Sequence, residues 1–192
     1  MNKTNLAFKC NYCNGGSDTD RMHYGYNGVC SEAVIKYNIT KAKYDWCSQP
    51  ACACNQFYRN KITYDELKNM YKTEGSVCYE SAMLNKWEAL AGYNNNGERA
   101  GTARRIVNSE IGSLAVLTLT TPDANEYERR IFAIFLIDEY DEGDDEYEGY
   151  VACTSKYKLH FTRAETNELR FWDYYNNENS DECRWSSGLF RY

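Results

Sequence analysis

Sulfur constrains this chain more than any other feature. Six of the nine cysteines (Cys10, Cys13, Cys30, Cys47, Cys52 and Cys54) fall within 45 residues near the N-terminus, while Cys78, Cys153 and Cys183 are scattered. The total is odd, and Met1-Asn2-Lys3-Thr4-Asn5-Leu6 has none of the apolar character of an export signal. A complete disulfide framework is therefore disfavoured, and thiols clustered in a reducing compartment read as metal ligands. The expected location is cytoplasmic.

Cys10-Asn11-Tyr12-Cys13, followed by Asn14-Gly15-Gly16, resembles a zinc knuckle, in which a Gly-bearing turn lets two thiolates converge on one ion. Structural zinc takes four ligands in a tetrahedron, with sulfur at about 2.3 Å, so a second pair must come from elsewhere. Cys47-x4-Cys52-x-Cys54 can supply it, which makes Cys10, Cys13, Cys47 and Cys52 the expected set, with Cys54 the first substitute. Cys30 is the second substitute, since it precedes a helix start, where the dipole favours thiolate. Six thiols exceed one tetrahedron, leaving open spare buried cysteines, bridging ligands, or two sites assisted by His23 or a carboxylate. A four-thiolate zinc has no open coordination position, so such a metal contributes folding rather than chemistry.

Charge divides the chain differently from sulfur. Residues 1–105 carry 14 Lys/Arg against 10 Asp/Glu, and residues 106–192 carry 8 against 18, within a net charge of −6. Eight carboxylates crowd Asp138–Glu148, which predicts a solvated loop, since like charges repel in a regular element. The turn-forming Asn94-Asn95-Asn96-Gly97 marks a boundary between a Cys-rich, helical, zinc-binding region at 1–95 and a β-rich region at 96–192.

Upstream of that boundary the apolar period is helical. Ser31 caps a segment in which Ile35, Ile39, Ala42 and Trp46 share a stripe. Thr63-Tyr64-Asp65-Glu66 forms a capping box with Gly75 as the C-terminal stop, and a third helix is expected over Glu80–Ala91, stopped by Gly92. Downstream, Leu114–Thr120 and Ile131–Ile137 are short apolar runs rich in β-formers, expected as adjacent buried strands at the centre of a sheet. Tyr150–Cys153 and Tyr157–Phe161 read as a further strand pair turned at Thr154-Ser155-Lys156. Thr162–Glu165 is a second capping box, opening an aromatic helix with Leu169, Trp172 and either Tyr175 or Tyr174 inward, and the tail Ser187–Tyr192 is strand-like. The expected fold is thus α+β: a metal-tied helical subdomain, then a small, mostly antiparallel sheet or open β-barrel carrying a helix.

No run approaches the roughly 18 apolar residues of a membrane span. No phosphate-binding Gly loop, dinucleotide fingerprint or nucleophile elbow is present, and only His23 and His160 are on hand for acid–base work. The expectation leans away from catalysis, toward an enzyme only of a type without a local motif. The C-terminal aromatics among amides suit a planar ligand, with Trp172, Tyr175 and Trp185 for stacking and Asn176 for reading a base edge. Arg104 and Arg105, with Lys36, Lys41, Lys43, Arg59 and Lys61, could meet phosphates. In composition alone, the β-rich half with its aromatic cluster is similar to small PUA-like barrels that hold modified bases in an aromatic cage. The leading expectation is a zinc-stabilised module that recognises a nucleic acid or nucleobase. The alternative is a regulatory domain whose acidic loop Asp138–Glu148 meets a basic protein partner.

Overall fold

A capping box opens a helix wherever the sequence offers one, and the strands follow the β-branched and aromatic runs. The computed structural model describes residues 4–15, 23–94, 97–175 and 190–191. Along the chain these form β1 (Leu6–Lys9), α1 (Glu32–Thr40), α2 (Asp45–Ser48), α3 (Ala53–Tyr58), α4 (Tyr64–Glu74), α5 (Tyr79–Lys86), β2 (Glu88–Leu90), β3 (Leu114–Leu119), β4 (Arg130–Leu136), β5 (Glu139–Asp141), β6 (Tyr150–Ala152), β7 (Lys158–His160), α6 (Arg163–Glu168), α7 (Phe171–Tyr174) and β8 (Phe190–Arg191). The architecture is mixed α+β. Two compact units emerge: Asn11–Asn85 with Thr121–Asp123, and Met1–Cys10 with Lys86–Thr120 and Ala124–Tyr192. Among the described residues, no helix is long and apolar enough to cross a membrane.

The second unit holds a five-stranded sheet in the order β7-β4-β3-β1-β8 and a three-stranded sheet in the order β2-β6-β5. β3 is central, as its apolar run predicts: residues 115–119 are all buried, on both faces of the sheet. It pairs antiparallel with β4, and the register shifts between Leu117 and Thr118, so that Phe132 is the extra, fully buried residue of a bulge. β1 runs parallel to β3, from Leu6 opposite Ala115 to Lys9 opposite Thr118, and the other pairs are antiparallel. The sequence texture placed Leu6–Lys9 in the helical region, but its three buried residues belong to this sheet. Ala7, Val116, Ile131 and Phe171 form a core cluster against which Leu169, Trp172 and Tyr175 pack. Arg129, fully buried, pairs with the Glu126 carboxylate, donates to Thr118 Oγ1 at 3.2 Å, and so anchors the turn before β4.

Five expectations are corrected here. The helix expected over Glu80–Ala91 stops at Lys86, because Trp87 takes a left-handed φ of 51° and Glu88–Leu90 pairs with β6. The Trp87 ring meets Phe135 edge-on at 6.3 Å, so tertiary burial outweighs helix propensity. The expected hairpin of Tyr150–Cys153 with Tyr157–Phe161 does not form, since β6 joins β2 and β5 while β7 joins β4. Asp138 accepts the N–H groups of Thr154 and Ser155, both at 2.8 Å, and redirects the chain between them. The acidic run is not wholly loop: Glu139–Asp141 is an exposed edge strand, and further on Asp144 accepts from Glu146 and Tyr147 N–H. The aromatic helix breaks at Leu169 into α6 and α7. The barrel alternative gives way to two separate sheets.

In the unit Asn11–Asn85, α1 packs on α2 and α3, and α3 packs on α4. The stripe Ile35–Trp46 does not run through one helix, because α1 ends at Thr40, Lys43 takes φ 52°, and Trp46 is exposed. α4 has the predicted capping box at Thr63 and Glu66 and the left-handed stop at Gly75.

Candidate metal centre

Several polar side chains of this unit bond to segments bearing cysteine. Asn14 clamps the start of α1: its Oδ1 accepts from Ser31 N–H at 2.8 Å and its Nδ2 donates to Ser31 Oγ at 2.9 Å. Asn38 donates to Tyr12 O at 2.8 Å, Asn55 to Cys47 O at 3.2 Å, and Tyr64 Oη to Cys30 O at 3.0 Å. Ser81 Oγ accepts from Val77 and Cys78 N–H and donates to Cys78 O at 2.6 Å, fixing the loop before α5. Backbone packs directly on backbone where Asn14 and Gly15 meet Gly25 and Gly28. Gly15 has φ +59°, and a Cβ there would stand 2.7 Å from Gly25 Cα. Only glycine allows that approach.

These supports converge on a cavity of about 10 Å³ lined by Tyr12, Cys13, Cys30, Ile35, Asn38, Cys47, Cys54, Cys78 and Glu80. That is the room of a single water or ion, far below the few hundred cubic ångströms of an organic ligand site. Cys30 and Cys13 Sγ stand 2.9 Å apart. Cys54 is hydrogen-bonded to both Cys52 and Cys78, and Cys78 reaches the Glu80 carboxylate. Glu80 is buried, its Oε1 accepting from Asn11 Nδ2 at 2.7 Å, and no Lys, Arg or His among the described residues pairs with it. Asn38, 3% exposed, has its Oδ1 without a hydrogen-bond partner. The wall therefore presents sulfur, carboxylate and amide oxygen, all of which can donate electron pairs to a cation.

Protonation is uneven across the cluster. The hydrogen bond that Cys30 donates to Cys13, then burial, holds Cys30 well above a thiol's ordinary value, and burial followed by the nearby Glu80 charge raises Cys47. Bonds to Cys52 and Cys78 raise Cys54. The Cys54 hydrogen bond draws Cys52 down to about 6, against its burial and with help from the N–H groups of Asn55 and Cys54 at the start of α3. Burial raises Glu80 above the usual carboxylate range. Metal ligation requires thiolate, so a bound cation would have to displace these protons. Among the described residues, no three or more His, Cys, Asp or Glu side chains stand in a ready ligating arrangement.

Of the metal ligands expected from sequence, Cys13, Cys30, Cys47 and Cys54 line the cavity, and Cys52 joins them through Cys54. Cys10 is not among the lining residues. It closes β1 in the sheet unit, its N–H bonded to Thr118 O at 3.0 Å and its thiol 3.8 Å from Phe8 O. Cys78, set aside as scattered, and Glu80 were missed. No local spacing ties them to the other cysteines, since Asn11 and Ser81 bring them in through long-range contacts.

Among the described residues, the expected ligand residues are each engaged elsewhere rather than gathered at one site. Trp172 donates from Nε1 to Glu126 O at 2.7 Å and packs edge-on against Phe171, on which Tyr175 stacks at 5.6 Å. Both rings thus cover the sheet. Arg104 donates to Asn94 Oδ1 at 3.3 Å, and Arg105 pairs with Glu142 at 3.2 Å, beside the acidic segment. Asn176 and Trp185 lie outside the described residues. Comparison of the chain with family models, with curated proteins and with solved structures finds no match.

Proposed function

We propose that this chain is a zinc-stabilised binding module, in which thiolate-bound structural zinc folds the unit Asn11–Asn85 and recognition falls to surfaces built on that frame. The observation that carries the reading is the ion-sized cavity walled by five cysteines, a buried carboxylate without a cationic partner among the described residues, and an amide oxygen without a donor. A buried carboxylate is costly unless a positive charge offsets it, and a divalent cation among thiols supplies that charge. Elemental analysis of the purified chain tests this. Zinc should copurify and be lost in Cys13→Ser and Cys54→Ser, whereas a folded, metal-free wild type overturns the reading.

The ligand class we assign first is nucleic acid or a nucleobase. Lys36, Lys41, Lys43 and Lys61 are exposed around the cysteine segments, and Tyr174, 57% exposed beside the packed Trp172, leaves an aromatic face in water. Phosphate contacts of this kind weaken as salt rises. Titration with a single-stranded oligonucleotide at 20 and about 200 mM salt should show binding at the lower value that falls at the higher, and no binding at low salt overturns the assignment. A second reading, a basic protein partner, is favoured by the exposed acids Asp141, Glu142, Asp144, Asp145 and Glu146 around Tyr147, itself 71% exposed. Neutralising four of those acids should abolish capture of a lysine-rich peptide, and unchanged capture removes this reading.

A further inference from the structure

Two segments distant in sequence are locked side by side at the wall of the cysteine cavity. Cys13 is followed by Asn14 and Cys30 by Ser31, and these two neighbours are tied by the hydrogen bonds between Asn14 and Ser31, at 2.8 and 2.9 Å. Two residues from each cysteine the backbones touch: a Cβ on Gly28 would stand 2.4 Å from Gly15 O, so no side chain can part them there. Tyr64 Oη holds the Cys30 carbonyl at 3.0 Å. The clamp brings the sulfurs of Cys13 and Cys30 to 2.9 Å, with the Cys30 thiol donating to Cys13. A disulfide needs about 2.05 Å between the same atoms, so closure asks for a shift of under about 1 Å.

We infer that Cys13 and Cys30 are a reversible redox pair, which a small peroxide closes to a disulfide and a thiol reductant reopens. The Cys13 sulfur attacks one peroxide oxygen, the O–O bond breaks, and the departing oxygen leaves with the Cys13 proton as water. The Cys30 sulfur then attacks the sulfenic sulfur, the S–S bond forms, the S–O bond breaks, and the hydroxyl leaves with the Cys30 proton as a second water. Two thiols thus give up two electrons and one peroxide is reduced to two waters. Both side chains are buried, at 1% and 6% exposure, and the cavity they line has room only for a water-sized guest, which favours hydrogen peroxide over a bulky disulfide as the oxidant. Cys10 and Cys153 take no part: the first is engaged after β1, and the second lies 3.7 Å from Asp138 and Ser155 O in the sheet unit. The pairing stands on this geometry and not on the zinc reading. Where the thiols hold zinc, closure withdraws two of the five cavity sulfurs from it.

The full, reduced chain is treated with one equivalent of hydrogen peroxide, its remaining thiols are blocked by alkylation, and its non-reduced peptides are mapped by mass spectrometry. A cross-link between Cys13 and Cys30 is expected as the leading product in the wild type, in Cys10→Ser and in Cys153→Ser, and dithiothreitol should restore both thiols. Cross-links chiefly among Cys47, Cys52, Cys54 and Cys78, or sulfinic acid at Cys13 or Cys30 without a cross-link, overturn the inference. Asn14→Ala should form the cross-link roughly tenfold more slowly, because the clamp supplies the proximity of the two sulfurs. Ser31→Ala, which loses only the bond to Oγ, should fall between that variant and the wild type, and it decides the matter should Asn14→Ala fail to fold. Unchanged rates overturn the role given to the clamp.

Discussion

In the sheet unit β3 buries five successive side chains between β1 and β4, and Phe132, Phe135 and Leu117 are almost wholly removed from water, so apolar burial accounts for its cohesion. The unit Asn11–Asn85 has a thinner apolar interior. Among its large aliphatic side chains, Val29, Val34, Ile35, Leu67, Met83 and Leu84 are buried, and much of the remaining interior is thiol, amide and tyrosine. One region is held by a continuous hydrophobic pattern, the other by directed polar bonds around sulfur. The difference teaches that the second region's stability should depend on whatever occupies its thiols, while the first should be indifferent to it.

Removing metal should break the comparison open most widely. Structural zinc contributes on the order of 10 kcal/mol in small zinc domains, so stripping it with a strong chelator under reducing conditions should unfold Asn11–Asn85 while β3 and β4 keep their protection. Hydrogen exchange resolved by peptide checks this, and equal loss in both units would erase the distinction. Next in size, Phe132→Ala should cost about 3–5 kcal/mol, because it empties a fully buried site in the bulge. Denaturant melts should show that loss in the sheet unit without any change in metal content. Asn14→Ala is smaller, about 1–3 kcal/mol, since it removes both bonds to Ser31 and leaves a backbone N–H without its acceptor. Its effect should be confined to the cysteine unit and visible as faster metal release.

The smallest expected effect concerns acid. Burial alone would raise Asp138, but hydrogen bonds from the N–H groups of Thr154 and Ser155 and from the Ser155 and Cys153 side chains outweigh it and hold the carboxyl at about 2. A folded-state value below the unfolded one contributes stability that is fully present above about pH 4 and lost as pH falls toward 2. With solvent screening the contribution is about 1 kcal/mol. The gap between wild type and Asp138→Ala in urea melts should therefore be present at pH 6 and shrink below pH 4. A gap that stays constant to pH 2 would show that Asp138 acts without its charge.

Legibility in the sequence follows the same division. The capping boxes at Thr63 and Thr162, the Gly75 stop and the β3–β4 pair were readable, because each rests on a local pattern that tertiary contacts reinforce. Leu6–Lys9 was not, since a four-residue strand beside a C-x2-C motif carries no period of its own. Trp87 ended α5 against its helical surroundings because its ring is needed beside Phe135. At the candidate site, four of the six expected cysteines line one cavity, but spacing alone suggested Cys10 as the partner of Cys13. Cys10 follows a strand whose register with β3 is set by Leu6, Ala7 and Phe8, a constraint that no cysteine count reveals. Cys78 and Glu80 enter through Ser81 and Asn11, long-range contacts without a sequence signature.

The account's central claim concerns what the thiols bind, and X-ray absorption at the zinc edge of the full, reduced chain reads that directly. The account predicts a first shell dominated by sulfur at about 2.3 Å, which loses sulfur scattering in Cys54→Ser. A shell of nitrogen and oxygen alone, or a folded chain without zinc absorption, would contradict it.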